Sequence, residues 1–401
     1  MRKSQLVVLL VSVIFAFVRC ELRKDPEYWT NLATEELKEA LKVKWNENKA
    51  KNVILFIGDG MGPNTVTATR IYKGGESHRL SFETFPHVGL LKTYSADKMV
   101  SESASTTTAL LSGIKVNQNT VGVDASVQHK DCAASLNPNV KLDSLAALAL
   151  KAGKSAGFVT TMRVTHGTPG PVYAHSAARQ WECDAALPAD AKQCKDIARQ
   201  LVEDFPGRDL HVIMGGGRQS LVPNVTGTSD DPISAWGCSR RDGRDLIQDY
   251  KEDKHSRNLK YSVVSNNREL QDFNVDETDY LLGTTGPSPI DGLNYTILAY
   301  GTGGPGSFQY SIESDNNGSR IVRQDPDTVD TDSLLYEQVA AVTLDENIHG
   351  GNDVAIYAKG PFAHLFHNVH EQNYVFHAIS YAAKIGPYSS GNTFRSSAAV
   401  L

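Results

Sequence analysis

The feature that most narrows the fold is an alternation of short, continuous apolar runs with helical patterns. Val53-Ile54-Leu55-Phe56-Ile57 is uninterrupted by any polar residue, which predicts a strand buried on both faces. Residues 24–50 before it place Trp29, Leu32, Leu37 and Leu41 at helix-like spacing. Leu145, Leu148 and Leu150 predict a helix that closes at Gly153, and Ala156-Gly157-Phe158-Val159-Thr160 predicts a second strand after it. Helix followed by strand recurs over residues 194–201 and 210–214, and Val354-Ala355-Ile356-Tyr357 reads as a late strand. This order predicts an α/β fold with a mainly parallel central sheet and helices on both faces. No internal repeat or heptad pattern interrupts it.

The expected division of the chain follows from its punctuation. Arg2 and Lys3 precede an apolar run over residues 6–18, too short to span a bilayer comfortably, so residues 1–20 read as a signal peptide, with an uncleaved anchor as the rival. Residues 21–283 form the first part of the α/β domain. The polar, irregular stretch 284–345 is a peripheral subdomain, and 346–401 return to the main domain. At 401 residues the chain is long enough for one large core. A net charge of -6 with no long basic run gives no footprint for nucleic acid or an anionic membrane surface, so a small or exposed substrate is the default.

A leader implies an oxidising compartment, and therefore a secreted or cell-surface protein. Beyond Cys20 the chain has Cys132, Cys183, Cys194 and Cys238, an even number that suits two disulfides, whereas a zinc ribbon would need the Cys-x-x-Cys spacing that is missing. Sequons at Asn224, Asn294 and Asn317 fit the same glycoprotein route.

Chemistry in an open parallel sheet sits at the carboxyl ends of its strands. Gly58-Asp59-Gly60-Met61-Gly62-Pro63 follows the first apolar run: its glycines allow a sharp turn, Pro63 can open a helix, and Asp59 projects a carboxylate that could hold a cation or merely cap. Ser101-Glu102-Ser103-Ala104-Ser105 leads into apolar sequence as a helix start. A serine there, such as Ser103, would lie beside free backbone N–H groups suited to a phosphorylated or metal-bound oxygen, although a plain N-cap is the simpler reading of the segment alone. After the second strand come His166 and Thr168, which offer nitrogen and oxygen ligands, and Arg179, whose fork of donors suits phosphate. His349 precedes a glycine pair and the late strand. No Gly-x-Ser-x-Gly occurs, which argues against a nucleophile-elbow esterase.

Two patterns are set aside. Gly301-Thr302-Gly303-Gly304-Pro305-Gly306 satisfies a dinucleotide glycine spacing, but no helix start follows to hold a pyrophosphate. His364, His367 and His370 recur every three residues beside Glu371, yet lack the second histidine of a zincin motif.

Together the four places resemble the alkaline phosphatase family of the animal type. The resemblance runs from Lys51-Asn52-Val53-Ile54-Leu55-Phe56-Ile57-Gly58-Asp59-Gly60-Met61-Gly62 through Thr161-Met162-Arg163-Val164-Thr165-His166 and Tyr173-Ala174-His175-Ser176-Ala177. It continues through Val212-Ile213-Met214-Gly215-Gly216-Gly217 and His349-Gly350-Gly351 to His370-Glu371-Gln372-Asn373-Tyr374. The resemblance implies hydrolysis of phosphate monoesters through a phosphoserine, with two Zn2+ ions and one Mg2+. By it Ser103 is the nucleophile and touches one zinc, and Asp59 bridges that zinc to magnesium. Thr168 is a magnesium ligand with His166 close by, Arg179 is the phosphate clamp, and His349 is a ligand of the other zinc. Cys132 with Cys194 is similar to a family disulfide, which leaves Cys183 and Cys238 to each other. The family also implies a homodimer, and relatives often carry a lipid anchor whose hydrophobic tail has no counterpart after Ser389-Ser390-Gly391.

The chain departs from the family pattern in one block. Between the segments around Gly283 and Tyr295 the family places a Glu-Gly-Gly-Arg-Ile-Asp-His-Gly-His-His motif and a later Ala-Asp-His-Ser-His, and no Asp-His pair occurs in this sequence. What remains is Asp59 and Ser103 for one zinc and His349 for the other, so poor zinc binding is expected. Smaller departures are Glu102 where the family usually has Asp, and Lys384 where vertebrate relatives have Cys. The alternative function is a catalytically impaired surface or binding protein on the same scaffold.

Overall fold

Short polar side chains start most of the helices. Asp25, Ser144, Asp196 and Asp245 each accept a backbone N–H from three residues ahead, satisfying a donor that the first helical turn would leave free. In the computed structural model, which describes residues 25–227, 233, 237–284, 310–315, 318–323 and 349–389, nine helices follow in chain order among the described residues. They are α1 Pro26–Leu41, α2 Pro63–Gly74, α3 Ser103–Ser112, the single turn α4 Cys132–Ser135 and α5 Leu145–Lys151. Next come α6 Ile197–Glu203, α7 Leu246–Ser256, α8 Asn267–Asp272 and α9 Tyr374–Ala383.

The strands are β1 His87–Lys92, β2 Gly157–Arg163, β3 Val212–Gly216, β4 Tyr261–Val264, β5 Tyr280–Thr284, β6 Tyr310–Asp315, β7 Gly318–Arg323, β8 Val354–Ala358 and β9 Val369–Glu371. Four of them form a wholly parallel sheet in the order β2-β3-β5-β4. The α/β class and the parallel sheet are therefore as the sequence predicts. A separate sheet, β8-β1-β9, pairs β1 antiparallel with β8 and parallel with β9, and β6-β7 is an antiparallel hairpin. Ile213, Leu282, Ile197, Leu201, Leu246 and Tyr250 build the largest core, between the parallel sheet and α6 and α7. A second core, around Trp181, Val123 and Ala177, includes the disulfide Cys132–Cys194, and Cys183–Cys238 forms the other bridge. Both pairings match those the family resemblance implies. A third core joins Leu91 to Leu110, Leu111 and Val375 of α3 and α9.

The predicted strand at residues 53–57 is overturned. This segment runs outside any ladder, with Ile54 79% and Phe56 88% exposed, and only Leu55 packs on a core. A continuous apolar run is buried as a strand only when it joins a sheet whose two faces are both covered. Here β2 pairs with β3 alone, and no described strand lies against residues 53–57, so the two larger sheets remain separate. The helix predicted over residues 24–50 is shorter than expected: it ends at Leu41 and buries none of its residues. Residues 1–24, Asn294, Asn317, Gly301 to Gly306 and most of the subdomain expected at 284–345 lie outside the described residues. Asn224 is exposed.

Away from the strand ends, Glu203 closes α6 with Arg199, Arg244 and Lys195 around it. Burial works to raise its pKa, but the three cations outweigh burial and hold the carboxyl at about 2. A depressed carboxylate stabilises the fold above the unfolded value and loses that stabilisation as pH falls toward its folded value. Glu203→Gln should therefore cost on the order of 1–3 kcal/mol at pH 7, and the difference from the parent should shrink between pH 4.5 and 2 in urea titrations. A second expectation comes from the unpaired apolar segment: Phe56→Lys should leave unfolding free energy within about 0.5 kcal/mol while lowering light scattering at high protein concentration.

Candidate active site

The site begins with a buried carboxylate at a helix start. Glu102 has extended backbone and caps α3, accepting the N–H groups of Ala104 and Ser105 at 2.8 Å each and that of Asn119 at 2.9 Å. Its Oε2 also receives Arg179 Nη1 at 2.5 Å. Burial alone would raise this carboxyl, but Arg179 and the three backbone donors together hold it below its ordinary value. The first-turn N–H groups of Ala104 and Ser105 are therefore taken up by Glu102.

Ser103, the first residue of α3, turns toward the loop after residues 53–57. Its Oγ donates to Asp59 Oδ1 at 3.2 Å, while Thr168 Oγ1 donates to Asp59 Oδ2 at 2.8 Å. Asp59 is thus shared by two hydroxyls from two further segments of chain. His166 stands beside it, with Nδ1 4.0 Å from Asp59 Oδ2 and Nε2 2.9 Å from Arg179 Nη2. Arg179 can only donate, so Nε2 accepts from it, while Nδ1 faces the backbone N–H of Thr168 at 3.3 Å as well as Asp59. Burial first and Arg179 second lower the His166 pKa to about 4, so the ring is neutral at physiological pH. Gly167 makes the approach possible, because a Cβ there would lie 3.0 Å from Arg179 Cζ and 3.3 Å from Ala104 Cβ.

The structure therefore brings Asp59, Ser103, His166, Thr168 and Arg179 into one cluster. His349 stands apart in its contacts: it is exposed on the loop before β8, although Gly351 two residues on lies against Val100, in the segment leading to Ser103. The histidines set aside in the sequence have aromatic partners, His364 stacking on Trp45 and His370 on Tyr374, and among the described residues no group of three or more His, Cys, Asp or Glu could hold a metal.

A family model described as alkaline phosphatase matches residues 50–295 and 291–385. The tissue-nonspecific alkaline phosphatase isozyme of Gallus gallus is 36% identical over 496 aligned residues, covering 96% of this chain and 94% of that protein. The chain belongs to the alkaline phosphatase family. The alkaline phosphatase of Gadus morhua is 34% identical, covering 91% of this chain and 98% of its own length, and the tissue-nonspecific isozyme of Homo sapiens is 36% identical over 91% and 90%. Among solved structures, the alkaline phosphatase of the Antarctic bacterium TAB5 superposes with a TM-score of 0.48 at 17% identity, covering 85% of this chain and 99% of that one. The two family-model matches overlap at residues 291–295.

What sequence reasoning missed at this alkaline phosphatase site is the role of Glu102. The signal was present as an acid immediately before a run of small residues, where a side-chain acceptor meets the first free N–H groups of a helix. Glu102→Ala removes the cap and leaves the Arg179 guanidinium without its anion. It should cost about 3–5 kcal/mol of unfolding free energy, measured by denaturant titration at pH 7.

Proposed function

We propose that this alkaline phosphatase hydrolyses phosphate monoesters with Ser103 as nucleophile and Arg179 as phosphate clamp, outside the cell or at its surface. The observation that carries the reading is the convergence of Ser103, Thr168 and Arg179 on the Asp59–Glu102 frame. Arg179 is held by Glu102 and His166 through one N–H on each terminal nitrogen, so its other donors remain for phosphate oxygens. Asp59 Oδ1 is the acceptor nearest the Ser103 proton and orients Oγ for attack on a phosphorus bound at Arg179. Attack would form the Ser103–phosphate ester and expel the alcohol, and water would then release inorganic phosphate and regenerate Ser103.

The metals that the family implies fit unequally. Asp59, Ser103 and Thr168 present only oxygens, the donor set of a hard cation such as Mg2+, which is often held by one carboxylate with hydroxyls, water and phosphate completing its shell. Bound there, Mg2+ would supply charge against the phosphoryl oxygens. Among the described residues, two zinc ions do not fit. All twelve histidines fall among the described residues; only His166 stands beside Asp59, and its Nε2 faces Arg179. The four cysteines beyond the leader are in disulfides, so a tetrahedral nitrogen or sulfur shell is lacking. That shortage is the specific observation that favours the second reading, a phosphate-binding protein with impaired turnover.

Hydrolysis of p-nitrophenyl phosphate at alkaline pH tests the proposal. Stripped protein should recover activity with Mg2+ and gain little from Zn2+. Ser103→Ala should lower turnover about a thousandfold or more and abolish the phosphoserine seen by mass spectrometry after acid quench. Turnover that survives Ser103→Ala would exclude Ser103 as nucleophile. Arg179-dependent phosphate binding without turnover would establish the binding-protein reading instead.

A further inference from the structure

Glu182 is a buried carboxylate that the chemistry proposed above does not use. It is 7% exposed and receives three donors: Arg163 Nε at 2.9 Å, Arg163 Nη2 at 2.7 Å and Thr165 Oγ1 at 2.6 Å. The two arginine bonds make a bidentate pair, which fixes angle as well as distance. Arg163 ends β2, and Thr165 sits one residue before His166. Glu182 lies three residues after Arg179, on a segment tied to α6 by the bonds from Ile197 N to Trp181 O and from Ala198 N to Glu182 O.

Two segments are thus cross-linked in both directions. Arg179 reaches from the second segment to His166 on the first at 2.9 Å, and Glu182 reaches from the second to Arg163 and Thr165 on the first. The Arg163 stem has little room to move: a Cβ at Gly217 would lie 2.6 Å from its Cβ, and one at Gly237 would lie 3.0 Å from its Cδ. The anchor at Arg163 is therefore rigid, and Glu182 transmits that rigidity to the turn that carries Arg179.

We propose that Glu182 is a positioning residue for the phosphate clamp: by gripping Arg163 and Thr165 it sets the register of Arg179 against the loop of His166 and Thr168. The proposal rests on the reading of Arg179 as the group that binds phosphate. Without Glu182, Arg163 keeps its charge in a half-closed site with no anion beside it, and the Thr165 hydroxyl loses its acceptor. The loop and the clamp then lose their common reference point.

The test is inorganic phosphate binding to the full chain in Mg2+, read by calorimetry, beside thermal melting. Four proteins are compared: the parent, Glu182→Gln, Arg179→Ala, and Glu203→Gln as a control that loses a carboxylate from an ion cluster outside the site. Glu182→Gln should weaken phosphate binding about tenfold, the scale of one charge-assisted hydrogen bond. Glu203→Gln should lower the melting temperature and leave phosphate affinity within twofold of the parent. Thr165→Val, nearly the same shape, removes one of the three bonds and should weaken binding about threefold, which keeps the question decidable should Glu182→Gln fold poorly. Parent-like affinity in Glu182→Gln or in Thr165→Val would overturn the proposal, as would equal weakening by Glu203→Gln. A parent protein whose phosphate binding is absent or unchanged by Arg179→Ala would instead bring down the functional reading, and the role of Glu182 with it.

Discussion

A single buried carboxylate, Glu102, ties the helix that carries Ser103 to the arginine that faces it. The same side chain caps α3 and pairs with Arg179, so the geometry of the serine and the position of the guanidinium are not independent. A buried ion pair of this kind contributes little net stability, because desolvation consumes much of its attraction, but it penalises any arrangement in which either partner moves alone. Its third backbone bond, from Asn119, adds the loop on which Arg179 N rests, since Arg179 N donates to Asn119 O at 2.8 Å. Three chain segments are thereby fixed by one side chain.

Asp59 depends on that frame more than it contributes to it. It is exposed, follows an unpaired stretch of chain, and is held to its neighbours by hydroxyl bonds from Ser103 and Thr168. Glu102 and Glu182 are buried and each hold an arginine. The cluster is thus rigid on the side of the two arginines and open on the side of Asp59. That asymmetry suits a site in which phosphate is oriented by fixed donors while a cation completes its shell from the solvent side.

Much of this was legible in the sequence. Alternating apolar runs and helical periods lead to the parallel sheet of β2, β3, β4 and β5, because local pattern and tertiary burial agree there. Ser103 is legible as a helix start, and His166 and Thr168 as residues just after β2, whereas Asp59 follows a run that forms no strand and Arg179 neither ends a strand nor opens a helix. The run at residues 53–57 failed for a physical reason: its apolar pattern specifies a buried strand, but burial requires a sheet to join whose two faces are both covered, and pattern within one segment carries no information about whether those partners exist elsewhere in the chain. Glu102 and Glu182 were hidden for a different reason. A buried carboxylate looks like any surface acid until its partner is known, and their arginines lie 77 and 19 residues away.

The unpaired run leads directly into the open side of the site. Asp59 leaves the end of residues 53–57, and those residues lack a strand against them among the described part of the chain. The Asp-His motifs that the family resemblance implies near residues 284–295 have no Asp-His pair to match them in this sequence. A segment that both paired with residues 53–57 and delivered histidines at its carboxyl end would complete the sheet and the metal shell together, since ligands in parallel sheets project from strand ends. The arginine side is held differently: the bonds among Glu102, Glu182, Arg163, His166 and Arg179 draw nothing from residues 53–57, so that side of the cluster keeps its geometry without the unpaired run.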